Sequence, residues 1–184
     1  METIILATLS VILAVCMYTD YRYRRIPNVI TFPSMLLALG YHSLSSGTVG
    51  LVSSGAGLLL GIALLIIPFL LGGMGAGDAK LMGAIGAFTG PIGILYVFLY
   101  TAIAGGFYVL LLLLFNRKFR AGFIAKHAPT LKIFVLTRKW IPDENPFVKN
   151  SPKLCYGLAI VAGAYLYITE TALGFNILPR IFAA

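Results

Sequence analysis

The sequence predicts an all-α polytopic membrane protein of six transmembrane helices, the fourth of them short. Three observations carry that expectation. The 184 residues are 59% hydrophobic and only 11% charged, where an average soluble domain is about 25% charged, and the mean hydropathy is +0.93. The apolar residues gather into six separable segments, most of them long enough to reach across hydrocarbon. The basic residues fall almost entirely between alternate segments, which is the asymmetry that orients membrane helices.

Taken in order, the segments are expected over 3–19, 29–44, 49–71, 79–89, 92–115 and 154–172. The first reads as a retained helix and not a secretory signal: Glu2 is its only charge, and its basic cluster follows it instead of preceding it. The third makes roughly 34 Å of helix. The fourth makes roughly 16 Å, about half a bilayer core, so neighbouring helices must shelter it or it must start inside the glycine-rich stretch before it. Pro91 is expected to open the fifth, since proline is tolerated in a first turn.

Six spans with the N-terminus outside place Arg22, Arg24, Arg25, Lys80 and every basic residue of 116–153 on the cytoplasmic side, leaving only Arg180 outside. Both termini are then outside the cytoplasm. The net charge of +8 is accounted for by this asymmetry and does not call for nucleic acid. One transmembrane domain, 1–184, is expected, with 116–153 as a basic cytoplasmic or interfacial loop within it. There "FRAGFIAKHAPTLKIFVLTRKW" interleaves aromatic and basic residues, a composition suited to an anionic lipid surface. Cys16 and Cys155 each stand alone, which excludes a zinc ribbon or a C-x-x-C redox motif.

The stretch "GGMGAGDAKLMGA", 72–84, sets a carboxylate and a lysine between two strongly apolar segments. A carboxylate at a helix centre in hydrocarbon costs about 2.5–3.5 kcal/mol on insertion scales. Of six acidic residues, Asp143 and Glu144 lie in a turn-forming stretch, and Glu2 and Glu170 lie at outer ends. Asp20 and Asp78 remain. Asp20 ends the first span, running inward, and Asp78 begins the fourth, running outward, so both arrive at the cytoplasmic boundary. Two carboxylates at one depth on different helices are the minimum for aspartic-protease chemistry, in which a close pair shares one proton near neutral pH. The plainer readings are that Asp78 caps a helix and that Asp20 pairs with Arg22 or Arg24. Gly73, Gly75 and Gly77 alternate before Asp78; glycine permits positive φ and close approach of another backbone, as an extended substrate beside the carboxylates requires. The stretch is neither a phosphate loop nor a dinucleotide fingerprint, because Asp-Ala-Lys follows Gly77 and no strand precedes it.

These residues resemble a known family. "GAGD", 75–78, is similar to the G-x-G-D motif of intramembrane aspartic proteases. "DYRYRRIPN", 20–28, resembles the Asp…Arg…Ile-Pro-Asn segment of type IV prepilin peptidases, and "GMGAGDAKLMGAIGAFTG", 73–90, resembles that family's second aspartate region. "CYGLAIVAGA", 155–164, resembles the last span of its short tight-adherence branch, with Cys155 where a proline often stands. The resemblance implies a bacterial inner-membrane endopeptidase that removes the leader of prepilin-like proteins on the cytoplasmic side. It implies Asp20 and Asp78 as catalytic residues, Gly75 and Gly77 as motif glycines, and Arg25, Ile26, Pro27, Asn28 and Lys80 as accompanying positions. Long members carry a zinc-binding cysteine domain between the first two spans and methylate the new N-terminus. Here those spans are nearly adjacent and no cysteine cluster exists, so a peptidase without methyltransferase activity, metal or cofactor is implied. Its partners would be a prepilin-like substrate and anionic lipid.

Pro27 and Asn28 most simply break one helix and cap the next. Lys80 is either a positive-inside anchor or a neighbour that tunes Asp78. His42 lies at the outer end of the second span, and neither it nor His127 has the neighbours of a serine triad. Gly57–Gly61 and Gly86–Gly90 have the spacing of close helix packing. Two rival functions are a proton-coupled carrier, which needs a polar path to the outer face, and a non-enzymatic pilus-assembly scaffold, which would tolerate loss of both carboxylates.

Overall fold

The computed structural model describes residues 3–70, 74–117, 120 and 156–173, and every element among them is helical. Helix α1 is Thr3–Tyr23, α2 is Asn28–Leu70, α3 is Ala76–Phe115 and α4 is Tyr156–Leu173. All four are long and apolar enough to cross a membrane. The chain divides into two compact units, Met1–Gly105 with Cys155–Ala184, and Gly106–Leu154. In the second unit α3 continues to Phe115, and the Asn116 and Arg120 amides donate to the carbonyls of Leu112 and Asn116. The rest of the basic segment expected over 116–153 lies outside the described residues, as do Gly73, Cys155 and Arg180.

The two central helices are longer than one straight crossing needs. The 43 residues of α2 would make about 64 Å if straight, twice a hydrocarbon core. Each instead contains one break. In α2 it is Gly47, at φ 60° and ψ −141°; in α3 it is Gly90, at φ 73° and ψ −179°. A side chain would strain both positions, and glycine adopts them freely. The breaks fall where the apolar segments were expected to separate, near 45–48 and 90–91. Pro91 is the first residue after the second break, where its missing N–H removes no helical bond.

Cross-contacts show that the chain reverses at each break. Before Gly47, Asn28 meets Lys80 and His42 Nε2 lies 3.2 Å from the Phe88 carbonyl, so the first arm of α2 runs parallel to the first arm of α3. After Gly47, Ser54 Oγ donates to the Ala87 carbonyl at 2.7 Å and Gly61 lies against Met82 and Gly83, so the second arm runs antiparallel to it. Beyond Gly90, Gly93 meets Tyr167, Thr101 meets Gly163 and Gly105 meets Tyr156, which lays the second arm of α3 antiparallel to α4. Helix α1 packs along α4, with the Tyr165 hydroxyl on the Ser10 carbonyl and Asp20 against Gly157.

The interior of this unit is apolar and tight. Leu9, Leu13, Met82, Ile85, Ile94, Val97 and Ile160 are fully buried. The exterior is also apolar: Leu44 is 92% exposed, Val29 82% and Leu59 68%. Such a surface is stable against lipid, where helices associate by close packing of small residues. Gly57 and Gly86 meet backbone to backbone, and a Cβ on either would collide with the other's carbonyl. This is the packing role expected of the Gly57–Gly61 and Gly86–Gly90 spacings.

Gly86→Ala is therefore expected to lower stability by about 1–3 kcal/mol. Gly40→Ala, with nothing within 4 Å of the new methyl, should be neutral or stabilising by up to about 1 kcal/mol. Thermal unfolding in detergent or lipid compares the two; equal midpoints would contradict the α2–α3 contact.

Candidate active site

Asp20 is a member of the stripe by which α1 buries itself. Ile5, Leu9, Leu13, Cys16 and Asp20 follow one another at spacings of three or four and are all buried, so helical periodicity alone turns Asp20 inward. The helix ends just beyond: the Arg24 amide donates to the Asp20 carbonyl at 2.8 Å, and Arg24 takes a positive φ of 50°. The Arg24 guanidinium interacts electrostatically with the Asp20 carboxylate. Asp20 is 8% exposed, and its Oδ2 has no hydrogen-bond partner among the described residues.

Asp78 lies in the first turn of α3. Its Oδ2 accepts the Gly75 N–H at 3.1 Å, and its own amide donates to the Gly75 carbonyl at 3.1 Å. This is the back-reaching half of a capping box, with an acidic third residue satisfying the N-cap amide. Asp78 is therefore not itself the N-cap weighed from sequence: Gly75 holds that position, and Asp78 supports it from the third helical position with one carboxylate oxygen. Asp78 is 9% exposed and shares its inward face with Leu81, Met82 and Ile85. Asp20 and Asp78 are brought within electrostatic reach of each other.

The two motif segments also lock together away from the carboxylates. Gly77 faces the link between α1 and α2: a Cβ there would sit 3.2 Å from Ile26 Cβ and 3.6 Å from its backbone N and O. Lys80 Nζ donates to Asn28 Oδ1 at 2.9 Å and lies 5.3 Å from the centroid of the Phe32 ring, a cation–π distance. Asn28 Oδ1 therefore serves α3, while the Pro27 carbonyl receives the Ile30 and Thr31 amides that open α2. Arg25 is exposed on the link, and it is Arg24 that interacts with Asp20. Among the described glycines only Gly47 and Gly90 have positive φ. Gly75 and Gly77 do not, so the motif glycines act through capping and close approach instead of an unusual backbone.

Sequence reasoning assigned no role at this site to α4. Gly157 lies against the Asp20 carboxyl, and the Tyr156 phenol lies within electrostatic reach of Asp78. The resemblance of residues 155–164 to the family's last span marked this helix without giving Tyr156 or Gly157 a role, and a small residue opening an apolar helix reads equally well as packing.

An apolar helical unit with two inward carboxylates at one end defines a class of membrane-type bundle with a candidate acid pair. Residues 7–110, more than half of the chain, match the type IV leader peptidase family, and the chain belongs to that family. The match includes both aspartates and stops before α4. No curated protein and no solved structure matches. Family membership and the four apolar helices together mark an integral membrane protein with a peptidase-like function.

The differing surroundings of the motif glycines separate their tolerance. Gly77→Ser should cost about 1–2 kcal/mol of stability, because the new Cβ lies only 3.2 Å from Ile26 Cβ. Gly75→Ser should change stability by less than about 0.5 kcal/mol, since its Cβ has ordinary space and serine is a good N-cap. Chemical or thermal unfolding of the two variants checks the difference in sign and size.

Proposed function

We propose that this protein is a membrane aspartic endopeptidase that removes the leader of type IV prepilin-like precursors, with Asp20 and Asp78 as the catalytic pair. The observation that carries the reading is the convergence of these two buried carboxylates at one end of the bundle, inside the segment matching a leader peptidase family. In the proposed reaction one carboxylate takes a proton from water while the protonated partner hydrogen-bonds the scissile carbonyl oxygen. The resulting tetrahedral intermediate collapses as the C–N bond breaks and the amine takes a proton.

The proposed topology is a single transmembrane domain, 1–184, with six crossings: α1, the two arms of α2, the short and long arms of α3, and α4. The N-terminus is outside, the aspartates lie at the cytoplasmic boundary of a bacterial inner membrane, and 116–153 rests on anionic lipid. The substrate's hydrophobic helix would dock on the apolar bundle and present its leader to the pair, with Gly75, Gly77, Arg25, Pro27, Asn28 and Lys80 shaping the surroundings. The link between α1 and α2 is only residues 24–27, which leaves no room there for an inserted methyltransferase-associated domain.

A proton carrier gains little support. At the opposite end, a cavity of about 260 Å³ is lined by Thr89, Tyr96, Tyr167 and Glu170, and Tyr100 donates to Glu170. Between that end and the aspartates the described interior is mainly apolar, Leu13, Ile85, Ile94, Val97, Ile160 and Val161, with the hydroxyls of Ser54 and Thr101 as buried polar groups, and holds no chain of ionisable groups among the described residues.

The test is cleavage of a candidate prepilin by purified protein in lipid. The intact protein should release a leader from the cytoplasmic side of the precursor helix and leave an unmethylated N-terminus by mass. Asp20→Asn and Asp78→Asn, each shown to fold, should be slower by about 10³-fold or more, on the order of 4 kcal/mol in the barrier. Undiminished cleavage by either variant would refute the pair.

A further inference from the structure

Helix α4 brings no carboxylate to the aspartate end of the bundle. Its one acidic residue, Glu170, is on the order of 20 Å further along the helix. Yet α4 touches Asp20 directly. A Cβ built on Gly157 would lie 2.6 Å from Asp20 Oδ2, 2.9 Å from its Cγ and 3.4 Å from its Cβ, the first two well inside the roughly 3.5 Å of a favourable carbon contact. Oδ2 is also the oxygen without a hydrogen-bond partner among the described residues. On this side the carboxyl is held by shape. One residue before, the Tyr156 phenol packs on Gly105 and lies within electrostatic reach of Asp78.

Gly157 differs from the other tightly packed glycines in what it faces. Gly57 and Gly86 abut each other's backbone, and Gly163 abuts the Thr101 amide, Cα and hydroxyl. A methyl at those positions must separate helices. At Gly157 the three nearest atoms all belong to one side chain, that of Asp20. A methyl there is accommodated by rotating the Asp20 side chain about its Cα–Cβ bond, which moves both Oδ2 and Cγ away, with the helices left in place.

We infer that Gly157 is a positioning residue for the reaction: its bare Cα lets α4 press against the Asp20 carboxyl and sets that carboxyl's aim toward Asp78. The inference rests on the peptidase reading above and extends it to a helix outside the matched segment 7–110. Misplacing a reacting group by about 1 Å can cost 10²-fold in rate.

The test compares Gly157→Ala with Gly163→Ala in the full chain in lipid, reading kcat, KM and the thermal midpoint. Gly157→Ala should lower kcat about 10- to 100-fold with KM within about twofold and little change in midpoint. Gly163→Ala should lower the midpoint and leave kcat per folded molecule near that of the intact protein. Unchanged kcat in Gly157→Ala overturns the inference. Should Gly157→Ala fail to fold, the same change is made in the Asp20→Ala background. Recovered folding there supports the Gly157–Asp20 contact, because the clashing carboxyl is gone; continued failure places the clash elsewhere and overturns it. Cleavage surviving in Asp20→Asn would sink the peptidase reading, and the stability comparison would still report on the contact by itself.

Discussion

Two carboxylates withdrawn from water at the same end of an apolar bundle set the terms for the rest of this molecule. Each desolvated carboxylate carries an energetic cost, and a close pair adds mutual repulsion whenever both are ionised. The fold offsets only part of this. Asp78 receives the Gly75 amide, and Asp20 has the Arg24 guanidinium in electrostatic reach. Asp20 Oδ2 is left without a hydrogen-bond partner among the described residues. A buried polar group in that state costs about 1–3 kcal/mol, a cost that the proposed catalytic role of Asp20 would explain.

Close helix approach makes the convergence possible. Reversals at Gly47 and Gly90 return the chain to the aspartate end, and glycine contacts between α2 and α3 hold the short first arm of α3 inside the bundle. That arm, from Ala76 to the break at Gly90, is roughly 21 Å long, shorter than a hydrocarbon core of about 30 Å, so its N-terminus, with Asp78, depends on neighbours for shelter. Gly77 against Ile26 and Lys80 against Asn28 then tie the start of α3 to the link that follows Asp20. The two aspartate-bearing stretches of the sequence are thus one structural unit, with the carboxylates inside it and the lysine clamp outside.

Much of this was legible in the sequence, for identifiable reasons. The apolar segments separate at Gly47 and at Gly90–Pro91 because positive φ and a missing N–H both interrupt helices there. That Asp20 and Asp78 lie within electrostatic reach of each other agrees with the sequence expectation that both carboxylates arrive at one end of the bundle. Other features were hidden. Lys80 is two residues from Asp78, and residues two apart do not face each other on a helix, so adjacency in sequence concealed that it serves Asn28. The motif glycines were read as allowing positive φ and room for a substrate backbone, whereas neither Gly75 nor Gly77 has positive φ, Gly75 is an N-cap, and Gly77 lies close to Ile26 of the protein's own link. Gly157 carried no signal by itself: one small residue in an apolar helix reads as packing until the side chain opposite it is known.

The central claim is that Asp20 and Asp78 work as one unit, and the most direct measurement is the rate of the Asp20→Asn/Asp78→Asn double variant beside the two single variants. Groups that act together are grossly non-additive. A shared-proton pair predicts that the double variant cleaves no more slowly than the slower single variant, because either change already removes the unit. A double variant slower by the product of the two single effects would contradict the account and assign the two carboxylates to independent roles.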